Sequence, residues 1–195
     1  RTTQEIVDTL NQATTRGDLN HCIPVAKPLQ YPARTLPLDP WMLGYWLGNG
    51  TAKGSLFSCH QDDVREVRCK IEARGFRTTD RTLSREFYVL DLLPVLREIG
   101  VLDNKHVPEA YLQAAPHQRE ALLAGLLDSD GHCTLAAGHI EFCSMERRLA
   151  DAVIELARSL GQKPVLGIGR ATLKGVDHGE KYRVKWRPTF NPFAL

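Results

Sequence analysis

Two nine-residue stretches decide the fold of this chain: residues 123–131, LAGLLDSDG, and residues 42–50, MLGYWLGNG. Each is an apolar run that ends in a polar residue followed by glycine, a pattern typical of a buried helix with a glycine stop. Small residues lie four positions apart in both stretches, and residues four apart share one helix face. They are Gly44 and Gly48 in one stretch and Gly125 and Ser129 in the other. Because small faces let helix backbones approach closely, we expect the two helices to pack against each other.

The remaining sequence repeats one order of elements: helix, two strands, helix, two strands. In the first unit, strand patterns lie at 55–59, 76–79 and 86–90 and helical ones at 61–74 and 90–99. In the second, strands are predicted at 133–136, 140–143, 165–172 and 181–186, and a helix at 145–160. We therefore predict a duplicated α+β fold whose repeats, 37–115 and 116–195, share one core.

Residues 1–36 differ in pattern from both repeats. A short helix is expected over 2–10, followed by an extended arm, because Lys27 and Tyr31 each precede a proline. Asp39 and Pro40 then have the residue types preferred at a helix N-cap and first turn.

Composition places the chain among ordinary globular proteins. It has 195 residues, 43% apolar and 25% charged, with a net charge of +2, which excludes disordered and collagen-like classes. No apolar run approaches the roughly 20 residues of a membrane helix, and no secretion signal opens the chain. Five cysteines without a CxxC pair favour reduced thiols and a cytoplasmic location.

The polar residues at the two helix ends suggest a metal site. A helix C-terminus carries unpaired carbonyls and partial negative charge, so a carboxylate there is unfavourable unless a cation is bound. If the helices pack as expected, Asn49 and Asp130 meet at the base of their interface, with the carbonyls of Gly48 and Ser129 beside them. Such oxygens suit Mg²⁺ or another divalent cation. The alternative is that both Asn-Gly and Asp-Gly are merely turn residues.

Residues 181–187, KYRVKWR, alternate strictly between basic and apolar. A strand would direct the basic side chains to one face, where they could contact phosphates and base edges or simply be solvated. Residues 161–195 carry seven basic and two acidic groups, so the basic charge is concentrated here. The candidate DNA-binding residues are Lys181, Arg183, Lys185, Arg187, Arg170 and Lys174 in the second repeat, and Lys53, Arg77, Arg81 and Arg85 in the first.

These motifs resemble those of the LAGLIDADG homing endonucleases. Residues 123–131 differ from the family signature at two of nine positions, and residues 42–50 resemble a degenerate first copy. The sequence NKHVP at 104–108 is similar to a Lys-x-x-Pro block of intein-borne members, and PLDPWMLG at 37–44 is similar to bacterial inteins of replicative helicases.

The resemblance implies a monomeric endonuclease that cuts double-stranded DNA at a long asymmetric site, using Mg²⁺ or another divalent cation. It implies a pseudo-twofold αββαββα fold with two antiparallel saddle sheets and both motif helices at the interface. It also implies catalytic roles for Asp130 and Asn49, which precede the final glycines and bind metal, and for Lys105 near the phosphate.

Asn49 departs from the family pattern, because asparagine keeps a carbonyl oxygen but has no negative charge. We therefore expect reduced cleavage, or nicking of a single strand. The alternative from another class is a non-catalytic DNA-binding protein with a degenerate LAGLIDADG fold, and RNA maturase activity is a third possibility. We expect no splicing by the chain as it stands, since it starts with Arg-Thr-Thr and ends with Pro-Phe-Ala-Leu.

Overall fold

The computed structural model describes residues 2–10, 12, 21, 24–81, 85–134 and 138–195. The described elements of the arm and first repeat are α1 (Thr3–Thr9), α2 (Pro40–Asn49), β1 (Leu56–Ser58), α3 (Val64–Glu72), β2 (Thr78–Asp80), β3 (Glu86–Val89), α4 (Leu92–Glu98) and α5 (Glu109–Leu112). Those of the second repeat are α6 (Pro116–Asp130), β4 (Gly131–Thr134), β5 (His139–Ser144), α7 (Arg147–Ser159), β6 (Val165–Leu173) and β7 (Val176–Trp186). None of the described helices is long and apolar enough to cross a bilayer.

Two antiparallel sheets repeat one strand order, which confirms the duplication. The first sheet has the order β1-β3-β2 and the second β4-β5-β7-β6. Thus β1, β3 and β2 correspond to β5, β7 and β6. The second helix of each repeat, α3 or α7, packs on its own sheet. This is the predicted α+β class with two antiparallel sheets.

Between α2 and α3, where every residue is described, the first repeat lacks one expected strand. The counterpart of β4 is reduced to an isolated bridge between Gly50 and Phe57. The chain turns back at once, because the Gly54 amide donates to the Thr51 carbonyl and the Thr51 amide to the Leu56 carbonyl. The expectation of two strands before α3 was therefore wrong, and the predicted helix over 61–74 is shorter, spanning Val64–Glu72.

The motif helices α2 and α6 form the centre of the core. Seven consecutive residues of α2, 41–47, and six of α6, 122–127, are buried. A helix that is apolar and buried on nearly all sides must lie inside the molecule rather than on its surface. At the start of α2, the Asp39 carboxylate accepts from the Met42 amide at 3.1 Å, as the N-cap prediction requires.

The two helices contact each other along the predicted small faces. A Cβ added at Gly44 would overlap the Leu122 carbonyl, and one at Gly125 would overlap the Trp41 carbonyl. A Cβ at Gly48 would overlap the Ser129 side chain and lie 2.8 Å from the Asp130 carboxylate. The backbones therefore touch directly, and the C-terminal ends of α2 and α6 lie side by side.

The glycines that end these helices do not have the left-handed backbone conformation of a usual glycine C-cap. Gly50 has φ −81° and Gly131 φ −90°, values open to any residue. Glycine is required there because a Cβ would overlap the preceding helical turn, at Trp46 and Leu127 respectively. By contrast, Gly75 and Gly161 have φ of 86° and 77° and are left-handed stops of the usual kind.

The N-terminal arm lies on the second repeat. The Leu29 amide donates to the Ser159 carbonyl of α7 at 2.8 Å, and the Arg34 amide to the Gln118 side chain of α6 at 2.9 Å. Below it, Arg119 is fully buried and donates to the carbonyls of Ala114, Ser159 and Leu29.

Candidate functional site

The ends of α2 and α6 bring an acidic and a basic side chain together. Burial raises the pKa of the Asp130 carboxyl, and the nearby Lys105 charge partly offsets this. Within the described part of the chain, no group donates a hydrogen bond to the Asp130 carboxylate. Among the described residues, the charge that compensates this partly buried carboxylate is the Lys105 ammonium, which does not hydrogen-bond to it.

Lys105 lies at the end of the first motif helix. Its Nζ donates to the carbonyls of Leu47 at 2.8 Å, Gly48 at 3.3 Å and Gly50 at 2.6 Å. The same atom lies 5.2 Å from the centre of the Trp46 ring. Burial lowers the pKa of Lys105, while Asp130 and Glu146 act in the opposite direction. The structure thus brings Lys105, Gly48 and Asp130 together.

The side chain of Asn49 interacts within its own repeat. It interacts with the hydroxyl of Tyr45, one helical turn earlier. Burial raises the pKa of this hydroxyl, and the contact with Asn49 offsets part of that rise. Among the described residues no hydrogen bond joins Asn49 to Asp130. The helix ends meet, but the two side chains make separate contacts.

The solvent face of the second sheet carries the basic residues of β7. Val184 and Trp186 are buried and the Arg183 and Lys185 side chains are half-exposed, so the predicted alternation holds over this part of the strand. Arg187 donates to His139 at 3.2 Å. Lys174 and Gly175 form the two-residue turn between β6 and β7, both with positive φ, which places Lys174 at the tip of the hairpin.

Acidic partners neutralise much of this basic surface, which the sequence analysis did not foresee. The pairs are Arg183 and Lys185 with Glu141 at 2.6 and 2.7 Å, Arg170 with Asp177 at 2.6 Å, Arg81 with Glu86 at 2.7 Å, Arg77 with Asp91 at 3.2 Å and Lys53 with Asp103 at 3.9 Å. In the described residues, Arg85, Lys174 and Lys181 take part in no ion pair. The surface is basic but internally compensated.

Sequence reasoning missed Glu141 because it lies 42 and 44 positions before its partners. Only the pairing of β5 with β7, in which Glu141 lies opposite Lys185, brings them together. Burial would raise the pKa of Glu141, but the Lys185 hydrogen bond and the Arg183 charge outweigh it and hold this pKa below its usual value. In the sequence, the signal for this pairing is weak: an acidic residue, Glu141, in the strand predicted at 140–143, which could lie beside the basic strand at 181–186.

Several known proteins are similar to this chain in fold or in sequence. Residues 106–188 match the family model described as "Homing endonuclease". The match covers the end of the first repeat and most of the second, and this part of the chain is similar to that family. Its structure superimposes on a variant of I-DmoI in complex with its target DNA in the presence of Mn, with a TM-score of 0.52, 10% identity and coverage of 77% of this chain and 86% of the other.

Two further comparisons show what this chain is similar to. Mesophilic variants of the homing endonuclease I-DmoI match with a TM-score of 0.52 and 10% identity, over 77% of this chain and 88% of theirs. At these identities the match establishes the fold alone. The whole chain is 40% identical to part of a replicative DNA helicase DnaB from Mycobacterium intracellulare, and it spans 31% of the length of that relative.

Proposed function

We propose that this chain is a LAGLIDADG homing endonuclease. It binds a long, asymmetric double-stranded DNA site as a monomer and hydrolyses phosphodiester bonds there with a divalent cation. The observation that carries the proposal is the Asp130 carboxylate, which lies beside the touching ends of α2 and α6 without a hydrogen-bond donor from the described protein. The family match, and the fold shared with a homing endonuclease solved with its target DNA, support it.

The oxygen atoms around Asp130 fit a hard cation. A partly buried carboxylate whose pKa is raised by burial is stabilised by any positive charge placed against it. Asp130, the carbonyl of Ser129 and the carbonyl oxygen of Asn49 would hold Mg²⁺ or another divalent cation, which prefers such ligands. The Gly48 carbonyl, also predicted as a ligand, already accepts a hydrogen bond from Lys105. When bound, the cation supplies activation of water and neutralises charge on the phosphate in the transition state.

The first motif should support this chemistry poorly. Asn49 provides a neutral oxygen where an acidic residue would provide a negative charge, so cation binding at the end of α2 is weakened. Removing one electrostatic stabiliser costs on the order of 10²–10³ in rate. We infer that the chain nicks one strand much faster than it cuts the second.

DNA would contact the solvent faces of the sheets. The contacts would come from Lys181, Arg183, Lys185, Arg187, Arg170 and Lys174 on the second sheet and from Lys53, Arg77, Arg81 and Arg85 on the first. Phosphates would have to compete with the acidic partners of these side chains, since the paired guanidinium and ammonium groups are already compensated. Glu141 thus sets how much of the β7 charge is available to DNA.

The relative suggests where the target lies. Because the entire chain is similar to a segment of a much longer replicative helicase, we infer that it derives from the endonuclease domain of an intein in such a helicase. The recognition site would then lie in the uninterrupted helicase coding sequence.

The test uses a supercoiled plasmid that carries this uninterrupted coding sequence. With Mg²⁺, the chain should produce nicked circles, and Asn49→Asp should produce linear DNA about 10²-fold faster than the unchanged chain. Asp130→Asn should give neither product. Linear DNA formed equally fast with and without Asn49→Asp would contradict the proposal. Specific binding without any cleavage, even by Asn49→Asp, would favour the alternative of a non-catalytic DNA-binding protein, for which Asn49 is the supporting observation.

A further inference from the structure

We propose that the Lys105 ammonium occupies the cation position of the first motif, so that the chain holds one divalent cation, at Asp130, rather than two. This rests on the proposed metal-dependent function, and it assigns Lys105 a role different from that of a group acting on the phosphate or the water.

The hydrogen bonds of Lys105 are saturated. An ammonium group has three N–H donors and no acceptor, and the Nζ of Lys105 has three acceptors, the carbonyls of Leu47, Gly48 and Gly50. Its aliphatic stem reaches them beside the Trp46 ring, which places the charge 5.2 Å from the ring centre. No donor is left for an attacking water.

The site that Lys105 occupies attracts positive charge. The carbonyls at a helix C-terminus carry partial negative charge. Two carbonyls of the last turn of α2, those of Leu47 and Gly48, and that of Gly50 just beyond the helix converge on one point. Asn49 adds no charge that would favour a divalent ion over a monovalent one. Since Lys105 already bonds to the Gly48 carbonyl, a second cation there would meet both occupied ligands and like-charge repulsion.

The second motif differs at the corresponding place. Among the described residues, no lysine or arginine donates to the carbonyls of residues 127–131. The pseudo-twofold symmetry of the motif helices is therefore broken by charge. An ammonium lies at the end of α2, and a carboxylate lies at the end of α6, whose carbonyls bind no ammonium from the described residues. Lys105 positions the end of α2 and leaves the end of α6 as the single metal site.

Counting bound Mn²⁺ tests this, by equilibrium dialysis with detection of free Mn²⁺ by electron paramagnetic resonance. The unchanged chain should bind one Mn²⁺, and Asp130→Asn should bind none. Lys105→Met keeps the stem against Trp46 but removes the ammonium, and should bind two. Lys105→Met should also lower the Tm by about 5 °C, and Mn²⁺ should restore it. The control Lys163→Met, at an exposed lysine, should match the unchanged chain.

Two bound Mn²⁺ in the unchanged chain would overturn the proposal without any variant, as would one Mn²⁺ and an unaltered Tm response in Lys105→Met. If Lys105→Met does not fold, the count for the unchanged chain still decides. A chain that binds one Mn²⁺ but cleaves no target would overturn the proposed nuclease activity and leave this assignment standing.

Discussion

Gly125 shows how one absent methyl group determines the distance between the motif helices. A Cβ there would overlap the Trp41 carbonyl and lie 2.8 Å from the Tyr45 amide. Both atoms belong to the backbone of α2 and cannot move aside without displacing the helix. Replacing Gly125 with alanine is therefore more damaging than the addition of one methyl group suggests.

We expect Gly125→Ala to lower the free energy of unfolding by about 2 kcal/mol, the cost of overpacking less the gain in helix propensity. Urea denaturation followed by circular dichroism measures it. The control is Gly167→Ala, whose Cβ would lie 3.8 Å from its nearest neighbour, the Arg183 carbonyl. Equal stability of the two variants would show that α2 and α6 are not in backbone contact.

Glu141 makes stability depend on pH. Its pKa is held below the usual 4.5 because the Lys185 hydrogen bond and the Arg183 charge outweigh burial. A depressed carboxyl pKa contributes stability above its unfolded value, and this contribution is lost as the pH falls through the folded value.

Glu141→Gln should therefore be less stable than the unchanged chain at pH 7, and this difference should shrink as the pH falls from 5 to 3. Urea unfolding at several pH values measures the gap. The control Glu155→Gln, at an exposed residue of α7, should follow the unchanged chain throughout. A gap that stays constant across this range would mean that Glu141 is not paired with β7.

At the scale of elements, the N-terminal arm is attached through Arg119. Its buried guanidinium donates to the carbonyls of Ala114 and Ser159 at 2.8 and 2.9 Å and to that of Leu29 in the arm, and it lies 5.2 Å from the Tyr31 ring. This one side chain joins the arm, the start of α6 and the end of α7.

Arg119→Leu should destabilise the protein by about 3 kcal/mol, because it leaves the carbonyls of Ala114 and Leu29 without the donor that they have in the unchanged chain. It should also make the peptide bond after Arg34 more accessible to trypsin, since the arm loses its contacts with Arg119 and is then held through the hydrogen bonds of Leu29 with Ser159 and of Arg34 with Gln118. Mass spectrometry of a limited digest detects that cleavage. Arg65→Leu, at an exposed arginine of α3, is the control. Continued protection at Arg34 in Arg119→Leu would contradict this role.

How far the sequence predicts these elements depends on the range of the interactions that form them. Helix α7 was expected at 145–160 and spans Arg147–Ser159, because its apolar period is local. The missing strand of the first repeat was not predictable from pattern alone, since a turn at 51–54 replaces it. Lys105 could be singled out through the resemblance, but the three carbonyls that it binds lie more than 50 residues earlier and emerge only when α2 is packed.

At the scale of the whole molecule, two similar repeats have unlike active ends. The sheets share a strand order and the motif helices share their small faces, so the fold is close to symmetric. The charges are not, because Asn49 and Lys105 stand at one end and Asp130 at the other. Under the proposed function, this difference in charge should make the protein treat the two strands of a DNA duplex differently.

The most direct test of this account follows each strand of a target duplex separately, with a different fluorescent label on each 5′ end, in Mg²⁺. We predict that one strand is cut at least about 10²-fold faster than the other, and that Asn49→Asp accelerates the slow strand alone. Equal rates on both strands of the unchanged chain would contradict the central claim that only the second motif holds a working metal site.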